Sequence, residues 1–414
     1  MQTHFFGDFD QSFYQPRPIS CFEPTRIVLT RGWNRTESSR GLTERILALY
    51  DKIVPEDCSN IAHPKVPIQG VTPLQQHFAG KQTLVIGEHQ SAVRLSSEEG
   101  NTCPNYWHFS LYGFCPYGCT YCYLAGTPGV KFSPSVKIFV NIDDILDGIT
   151  KQAKKFDKPT AFYHGKLQDG LALDPLSGYM KKLVPFFAEQ KYARMVLLTK
   201  SADIENLLDL DHAGHTILSW TLHPPDISAV FEPNTPPVND RIEAMQRCVK
   251  VGYPVRAVVM PLVPVENWVE KYNDFLKRLL AEIPLQRLTI GAICSYHGAC
   301  DLMNRKLGME NPINREMRRQ KENDGRIRSV GPTADKSFRS IDESSLPLVA
   351  SGLQKQNDGR IRYSESFRES GYKHLIDTAK RIRPDLEIGL CLETRKMFQT
   401  LGIEESLGKC NCVL

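Results

Sequence analysis

From Tyr106 to about Cys294 the chain repeats one pattern, a short apolar run rich in β-formers followed by an amphipathic helical stretch. The runs are Tyr106–Tyr112, Ala161–Gly165, Met195–Thr199, Ile217–Leu222, Val255–Met260 and Leu288–Ile293. Among the intervening stretches, Ile142, Ile145, Leu146, Ile149 and Ala153 recur at helical spacing, and a second helix is expected from about Asn239 to Val251. In a third, Trp268, Tyr272, Phe275, Leu276, Leu279 and Leu280 fall on one face. Repeated βα units imply parallel strands with right-handed crossovers. Six of them predict an α/β fold, a partial (βα)6 barrel of the TIM type. Val136–Val140 reads as part of the first connection.

The first run ends at Gly113 and leads into Cys115-Pro-Tyr-Gly-Cys119-Thr-Tyr-Cys122. Three thiols spaced three and two residues apart can reach three corners of a cubane [4Fe–4S] cluster, leaving the fourth iron without a protein thiolate. The amino and carboxylate groups of S-adenosylmethionine chelate such an iron. The reduced cluster can then cleave the cofactor to a radical that takes hydrogen from carbon. A zinc site would want a fourth ligand, more usually as two separated Cys-x-x-Cys pairs, and an unliganded structural trio is the third reading. The loop follows a strand end, the place where α/β barrels keep their chemistry.

The 414 residues suffice for a large core, and a net charge of +4 permits an anionic partner without requiring one. No apolar run is long enough to cross a membrane and no basic-apolar leader follows Met1, so a cytoplasmic protein is expected. Twelve cysteines in a chain of this size favour a reducing compartment over a disulfide framework.

Four regions are expected. Residues 1–102 read as a small N-terminal α+β region, with strands at Thr25–Thr30 and Gln82–Gly87 and a helix at Leu42–Tyr50; Cys21 and Cys58 stand singly there. The barrel takes 103–310. Residues 311–371 form a polar insertion in which Gln320-Lys-Glu-Asn-Asp-Gly-Arg-Ile-Arg328 recurs as Gln354-Lys-Gln-Asn-Asp-Gly-Arg-Ile-Arg362, with a loop at about 329–353 between the copies. Asp-Gly is the favoured two-residue hairpin turn, so the region reads as a segment carrying a copied motif inserted into what was once a single Asn-Asp-Gly hairpin. Residues 372–414 complete the barrel with a helix near His374–Arg383 and a strand at Leu386–Cys391, and end in Cys410-Asn-Cys412. Cys391, Cys410 and Cys412, with Cys294 or Cys300, could ligate an auxiliary metal or second cluster, or be unpaired thiols.

The chain resembles the spore photoproduct lyase family of radical S-adenosylmethionine enzymes. The resemblance rests on Leu74-Gln-Gln76, Thr83–Gly87, Cys119-Thr-Tyr-Cys-Tyr-Leu124, Val140–Ile145, Leu198-Thr-Lys200, Leu207-Leu-Asp209, Phe231-Glu-Pro233 and Gly252-Tyr253. It implies an enzyme that splits an ultraviolet lesion of spore DNA on a partial barrel. Cys115, Cys119 and Cys122 would then hold the cluster and Lys200 would help to bind S-adenosylmethionine. Tyr121 and Tyr123 would serve hydrogen return, or simply pack around the cluster. A flavodoxin- or ferredoxin-type electron donor is implied as well. One departure matters: Lys166 stands where the family places its hydrogen-donor cysteine. A protonated amine, with its strong N–H bond, cannot replace a thiol in that step. The chain is thus expected to be a divergent member with the same radical generator and another substrate.

The remaining candidates come from position. Lys166 is expected to contact the cofactor or a substrate anion. Asp169 follows the second core strand and is a site candidate, whereas Asp174 before Pro175 reads as a helix cap. Ser219 and Thr221 share a face of the fourth core strand, with Trp220 on the other. His164 and His223 end strands and could enter the site or be structural. Cys248 reads as core. Nucleic acid is the leading substrate class by resemblance. The alternatives are radical modification of a small molecule or peptide using the auxiliary site, and a non-catalytic nucleic-acid-binding protein with a structural cluster.

Overall fold

A computed structural model describes residues 14–98, 101–127, 133–323 and 360–414. Its strands are β1 (Arg26–Thr30), β2 (Glu56–Cys58), β3 (Thr83–Gly87), β4 (Val93–Ser96), β5 (Tyr106–Phe109), β6 (Tyr112–Gly113), β7 (Val136–Phe139) and β8 (Thr160–His164). Then come β9 (Ala193–Thr199), β10 (Thr216–Thr221), β11 (Val255–Val259), β12 (Arg287–Ile290), β13 (Cys294–Ser295), β14 (Ile361–Arg362) and β15 (Glu387–Leu390).

The larger sheet has the order β15-β12-β11-β10-β9-β8-β5-β4. All six strands expected from the repeat are in it, parallel and in sequence order, and β15 adds a seventh parallel strand beside β12. β4 closes the other edge antiparallel to β5. Its charged sequence Val-Arg-Leu-Ser gave no strand signal. Among the described residues β4 and β15 do not pair, so the sheet is open. The helices Ile142–Ala153 and Trp268–Glu282 bury the predicted faces, apart from the half-buried Trp268. Burying such a face is what fixes a helix of this length against the sheet.

Two expectations are corrected. The first run does not stay in one sheet: β5 stops at Phe109, and β6 pairs antiparallel with β7 in a second sheet of order β2-β1-β3-β7-β6. Val136–Phe139 is therefore a strand of that second sheet, not part of a connection. The N-terminal region, expected as α+β, is a parallel βαβαβ unit, since β1 pairs parallel with both β2 and β3 and β3 with β7. The unit was hard to read because β2 is a three-residue, largely exposed Glu-Asp-Cys. Of the duplicated motif, most of both copies and the loop at 329–353 lie outside the described residues. The last two residues of the second copy form β14, antiparallel to β13.

The tail lies against buried polar groups of the parallel strands. Ser219 on β10 donates to Asn411 Oδ1 (2.7 Å), Arg256 on β11 to the Val413 carbonyl (2.6 Å), and Arg287 on β12 to the Cys410 carbonyl (2.8 Å). Gly389 permits this approach, because a Cβ there would come within 2.1 Å of the Lys409 carbonyl.

Candidate active site

The cysteine loop leaves the seam between the two sheets. Phe114, buried and at φ 60°, turns the chain through the left-handed region that non-glycine residues seldom adopt. From one side Lys81, at the end of the helix Pro73–Lys81, donates to the Cys115 carbonyl and to that of Tyr117 (2.6 Å). On the other side the Gly118 N–H donates to the Pro233 carbonyl (2.9 Å) and the Thr120 N–H to that of Phe231 (2.9 Å). Gly118 is needed here, since a Cβ would sit 2.9 Å from the Pro233 oxygen.

Cys115, Cys119 and Cys122 share a cavity of about 190 Å³ with Tyr121, Tyr123, Lys166, Asp169, Lys200, Thr221 and Cys294. Burial pushes the Cys115 thiol well up and the Cys119 thiol to about 12; Lys81 opposes the first shift and Lys200 the second. Among the described residues, no three His, Cys, Asp or Glu side chains converge to hold a single metal ion.

Behind this wall lies a charged network that sequence reasoning missed. Glu232, fully buried, accepts from Arg241 (2.7 Å), Ser228 (2.7 Å) and Tyr121, and stands 3.6 Å from Lys200. Burial works to raise its pKa, but Lys200 and Arg241 outweigh it and hold the carboxyl far below the usual range. Burial likewise opposes the charge on Lys200, and Glu232 and Cys119 overcome it and raise its pKa. Glu232 is the middle residue of Phe231-Glu-Pro233, a matched motif whose acid was not singled out.

The expected site residues separate into three groups. Lys200, Thr221, Tyr121 and Tyr123 reach the cavity with the three thiols. Asp169 and Lys166 also line it, but their charged ends are engaged elsewhere. Asp169 accepts from the Leu171, Ala172 and Lys200 N–H groups (3.0, 2.9 and 2.7 Å) and the Thr199 hydroxyl (2.6 Å). The Lys166 ammonium pairs with Glu98 (3.1 Å) and Ser96 (2.8 Å), while its carbonyl accepts from the Tyr123 hydroxyl. His223 lies behind Tyr121, bonded to it (3.2 Å) and to Tyr272 (3.1 Å), and burial lowers it to about 4. His164 stacks on Phe109 and contacts Gln168, and Cys248 is core. Asp174, expected as the cap of the helix at Pro175, is instead the first residue of the helix Asp174–Ser177; its carboxylate accepts from the Met180 N–H at the start of the next helix (3.0 Å) and from Asn206 (2.7 Å).

Cys391, Cys410 and Cys412 meet in one neighbourhood, and Cys103, which no spacing ties to them, joins them. Its thiol neighbours that of Cys410, which in turn neighbours that of Cys412, and the Cys410 thiol together with burial pushes the Cys103 thiol up. Cys300 is buried beside Ser295.

The sequence profile of the family described as spore photoproduct lyase matches residues 41–294. The chain belongs to the spore photoproduct lyase family. Among its relatives, the spore photoproduct lyase of Clostridium acetobutylicum is 33% identical over 213 residues, or 51% of this chain and 61% of the relative. That of Bacillus subtilis is 31% identical over 219 residues, or 52% and 62%. The match thus spans less than two thirds of these relatives' length. A solved spore photoproduct lyase complexed with dinucleoside spore photoproduct superposes with a TM-score of 0.69 at 20% identity, covering 89% of this chain and 98% of that one. A double mutant with bound AdoMet and the same dinucleoside gives 0.69 at 19%. At such identity the likeness establishes the shared α/β fold with its parallel sheets.

Proposed function

We propose that the chain is a radical S-adenosylmethionine enzyme of this family, with Cys115, Cys119 and Cys122 holding a [4Fe–4S] cluster and S-adenosylmethionine in the adjoining cavity. The observation that carries this reading is that the three thiols of one anchored loop open on one cavity. A cubane offers one iron to each thiolate, so its ligands must share a cavity rather than a point. Metal binding removes the thiol protons that burial otherwise retains. When bound, the cluster supplies one-electron cleavage of S-adenosylmethionine, and with it hydrogen abstraction from carbon.

The chain's own residues set the stage. Lys200 keeps a positive charge beside Cys119 and is placed to draw the cofactor carboxylate. Asp169, spent on the Lys200 N–H and the turn after β8, positions that lysine. Tyr121 has its proton committed to Glu232, whereas the half-exposed Tyr123 stands at the cavity with its hydroxyl on the Lys166 carbonyl. Lys166 is tied to Glu98 and brings no thiol, so hydrogen return falls to another group. We read the open parallel sheet as a curled partial barrel, the protein as cytoplasmic, and the reductant as a flavodoxin- or ferredoxin-type donor. No helix among the described residues is long and apolar enough to cross a membrane. The relatives' names make a DNA lesion the first substrate to try.

A second reading, modification of a small molecule or peptide with an auxiliary cluster, rests on the neighbourhood of Cys103, Cys391, Cys410 and Cys412, whose thiols do not converge on a single ion but could each meet a different iron of a cluster. Anaerobic reconstitution with iron and sulfide tests both. Dithionite and S-adenosylmethionine should yield 5′-deoxyadenosine from wild type and none from Cys119→Ala. Iron bound without deoxyadenosine released would overturn the enzyme reading. Iron lost in Cys410→Ala with the thiol loop intact would favour the auxiliary site.

A further inference from the structure

The second sheet has a cavity of its own. With the order β2-β1-β3-β7, its strands run outward in both directions from the β1/β3 pair, and the reversal leaves a crevice beyond their carboxyl ends. Open parallel sheets bind ligands at such a switch point. Here the crevice is a cavity of about 350 Å³, entered by the residue after β1 (Arg31) and by those after β3 (Glu88, His89). That volume lies within the range of small-molecule pockets. Gly32, at φ 82°, lets the turn after β1 press against Glu88, since a Cβ would come within 2.6 Å of its Oε2.

The lining is cationic and aromatic. Arg31, Arg94 and Lys137 face the cavity, and among the described residues none of them forms an ion pair. Among the described residues Glu88 is the one carboxylate in the wall, and Arg35 stands 3.7 Å from it. Lys137 spends its N–H groups on the Ser133 carbonyl (2.6 Å) and on the Ser135 carbonyl (3.0 Å) and hydroxyl (2.8 Å), so the standing positive charge of the wall comes from Arg31 and Arg94. Burial alone lowers it to about 7. Three rings complete the wall: His63 lies 5.0 Å from His89, and Phe139 lies 4.7 and 4.8 Å from the two. Burial takes His63 to about 3 and His89 to about 4, so both imidazoles are neutral at physiological pH and serve as flat, weakly polar surfaces.

We propose that this crevice is a nucleotide-binding site, with the rim guanidinium groups of Arg31 and Arg94 taking a phosphate and the His63, His89 and Phe139 wall taking a base. Uncompensated cations call for an anion, and ring walls beside positive charge are how proteins hold unstacked bases. The ligand is either a free nucleotide or one unit of a single strand. The proposal does not depend on the thiol loop. Phe114, which lines this cavity, nevertheless directly precedes Cys115, and Leu167 here lies between the Lys166 and Gln168 of the other cavity.

Calorimetric titration of the full chain with thymidine 5′-monophosphate, a short oligothymidylate and inorganic phosphate tests it. Arg31 and Arg94 are exposed, so Arg31→Gln and Arg94→Gln should fold as wild type, checked by circular dichroism. Each should weaken monophosphate binding about tenfold, the scale of one lost charge-assisted hydrogen bond. His89→Ala should weaken it as well while leaving any phosphate binding unchanged. An oligothymidylate that binds more tightly than the monophosphate, with the same losses, identifies a strand as the source; equal affinities identify a free nucleotide. Nucleotide binding that survives both arginine variants, or that phosphate alone matches, overturns the proposal, as does failure of wild type to bind.

Discussion

The phenol of Tyr121 hydrogen-bonds to Glu232, so a side chain on the cavity wall is tied to a carboxylate that solvent does not reach. Around that carboxylate, Arg241 and Lys200 are balanced by little else. Glu232→Gln leaves two buried cations uncompensated and should cost about 3–5 kcal/mol in urea unfolding at pH 7. A carboxyl whose pKa is depressed in the fold contributes stability above its unfolded value, here 4.5, and loses it as pH falls below that. The gap between wild type and variant should therefore be constant above about pH 5 and narrow steadily below 4.5. A gap independent of pH down to 3 would contradict the assignment.

Lys81→Met removes two donors to loop carbonyls and leaves the helix that carries them in place. A stability loss of about 1.5–3 kcal/mol is expected, as for hydrogen bonds from a charged group. Iron retained after anaerobic reconstitution and desalting should fall as well. Full retention would mean that the loop holds its shape unaided.

Gly118→Ala sets a methyl against a backbone oxygen rather than a flexible side chain. The loop or the Pro233 segment must shift, at a cost of about 1–3 kcal/mol in chemical denaturation. A neutral result would show that the two segments part easily.

Lys137 gives a second pH signature of the same sense in a higher window, stability again rising with pH. Its pKa in the fold, about 7, lies below the unfolded value of 10.5, so burying the ammonium costs stability below pH 7. That cost fades as pH rises from 7 towards 10.5. Wild type should thus gain stability relative to Lys137→Met between pH 7 and 10, read from thermal midpoints of the two proteins side by side. A constant difference would mean that Lys137 keeps its proton in the fold, matched by a counter-charge.

The six parallel strands were legible because each is an apolar run flanked by helices with a clear face, so that local pattern and burial agree. The thiol loop was legible because spacing alone brings its cysteines together. The membership of β7 was not, since Val136–Phe139 reads the same whichever sheet it joins and its partners, Leu84–Gly87, lie some fifty residues away. Glu232, His63 and His89 were missed for one reason: each is a single residue whose partners come from distant segments, and no spacing marks such a meeting. Cys103 was missed likewise, although counting every thiol near a strand end of the parallel sheet would have raised it. Lys166 shows the converse. Its place at the cavity was foreseen, but only the fold reveals that Glu98 claims its charge.

The thiol loop is clamped between Lys81 from the second sheet's unit and Phe231 and Pro233 from the segment after β10. Residues on both sides of the loop in sequence, spread over some hundred and fifty positions, must be in place before its carbonyls and N–H groups are all answered. Neither unit alone provides the clamp. If the three thiols hold the proposed cluster, its loading would be a late event in biogenesis, and a chain that had taken it up would certify that its two halves have docked.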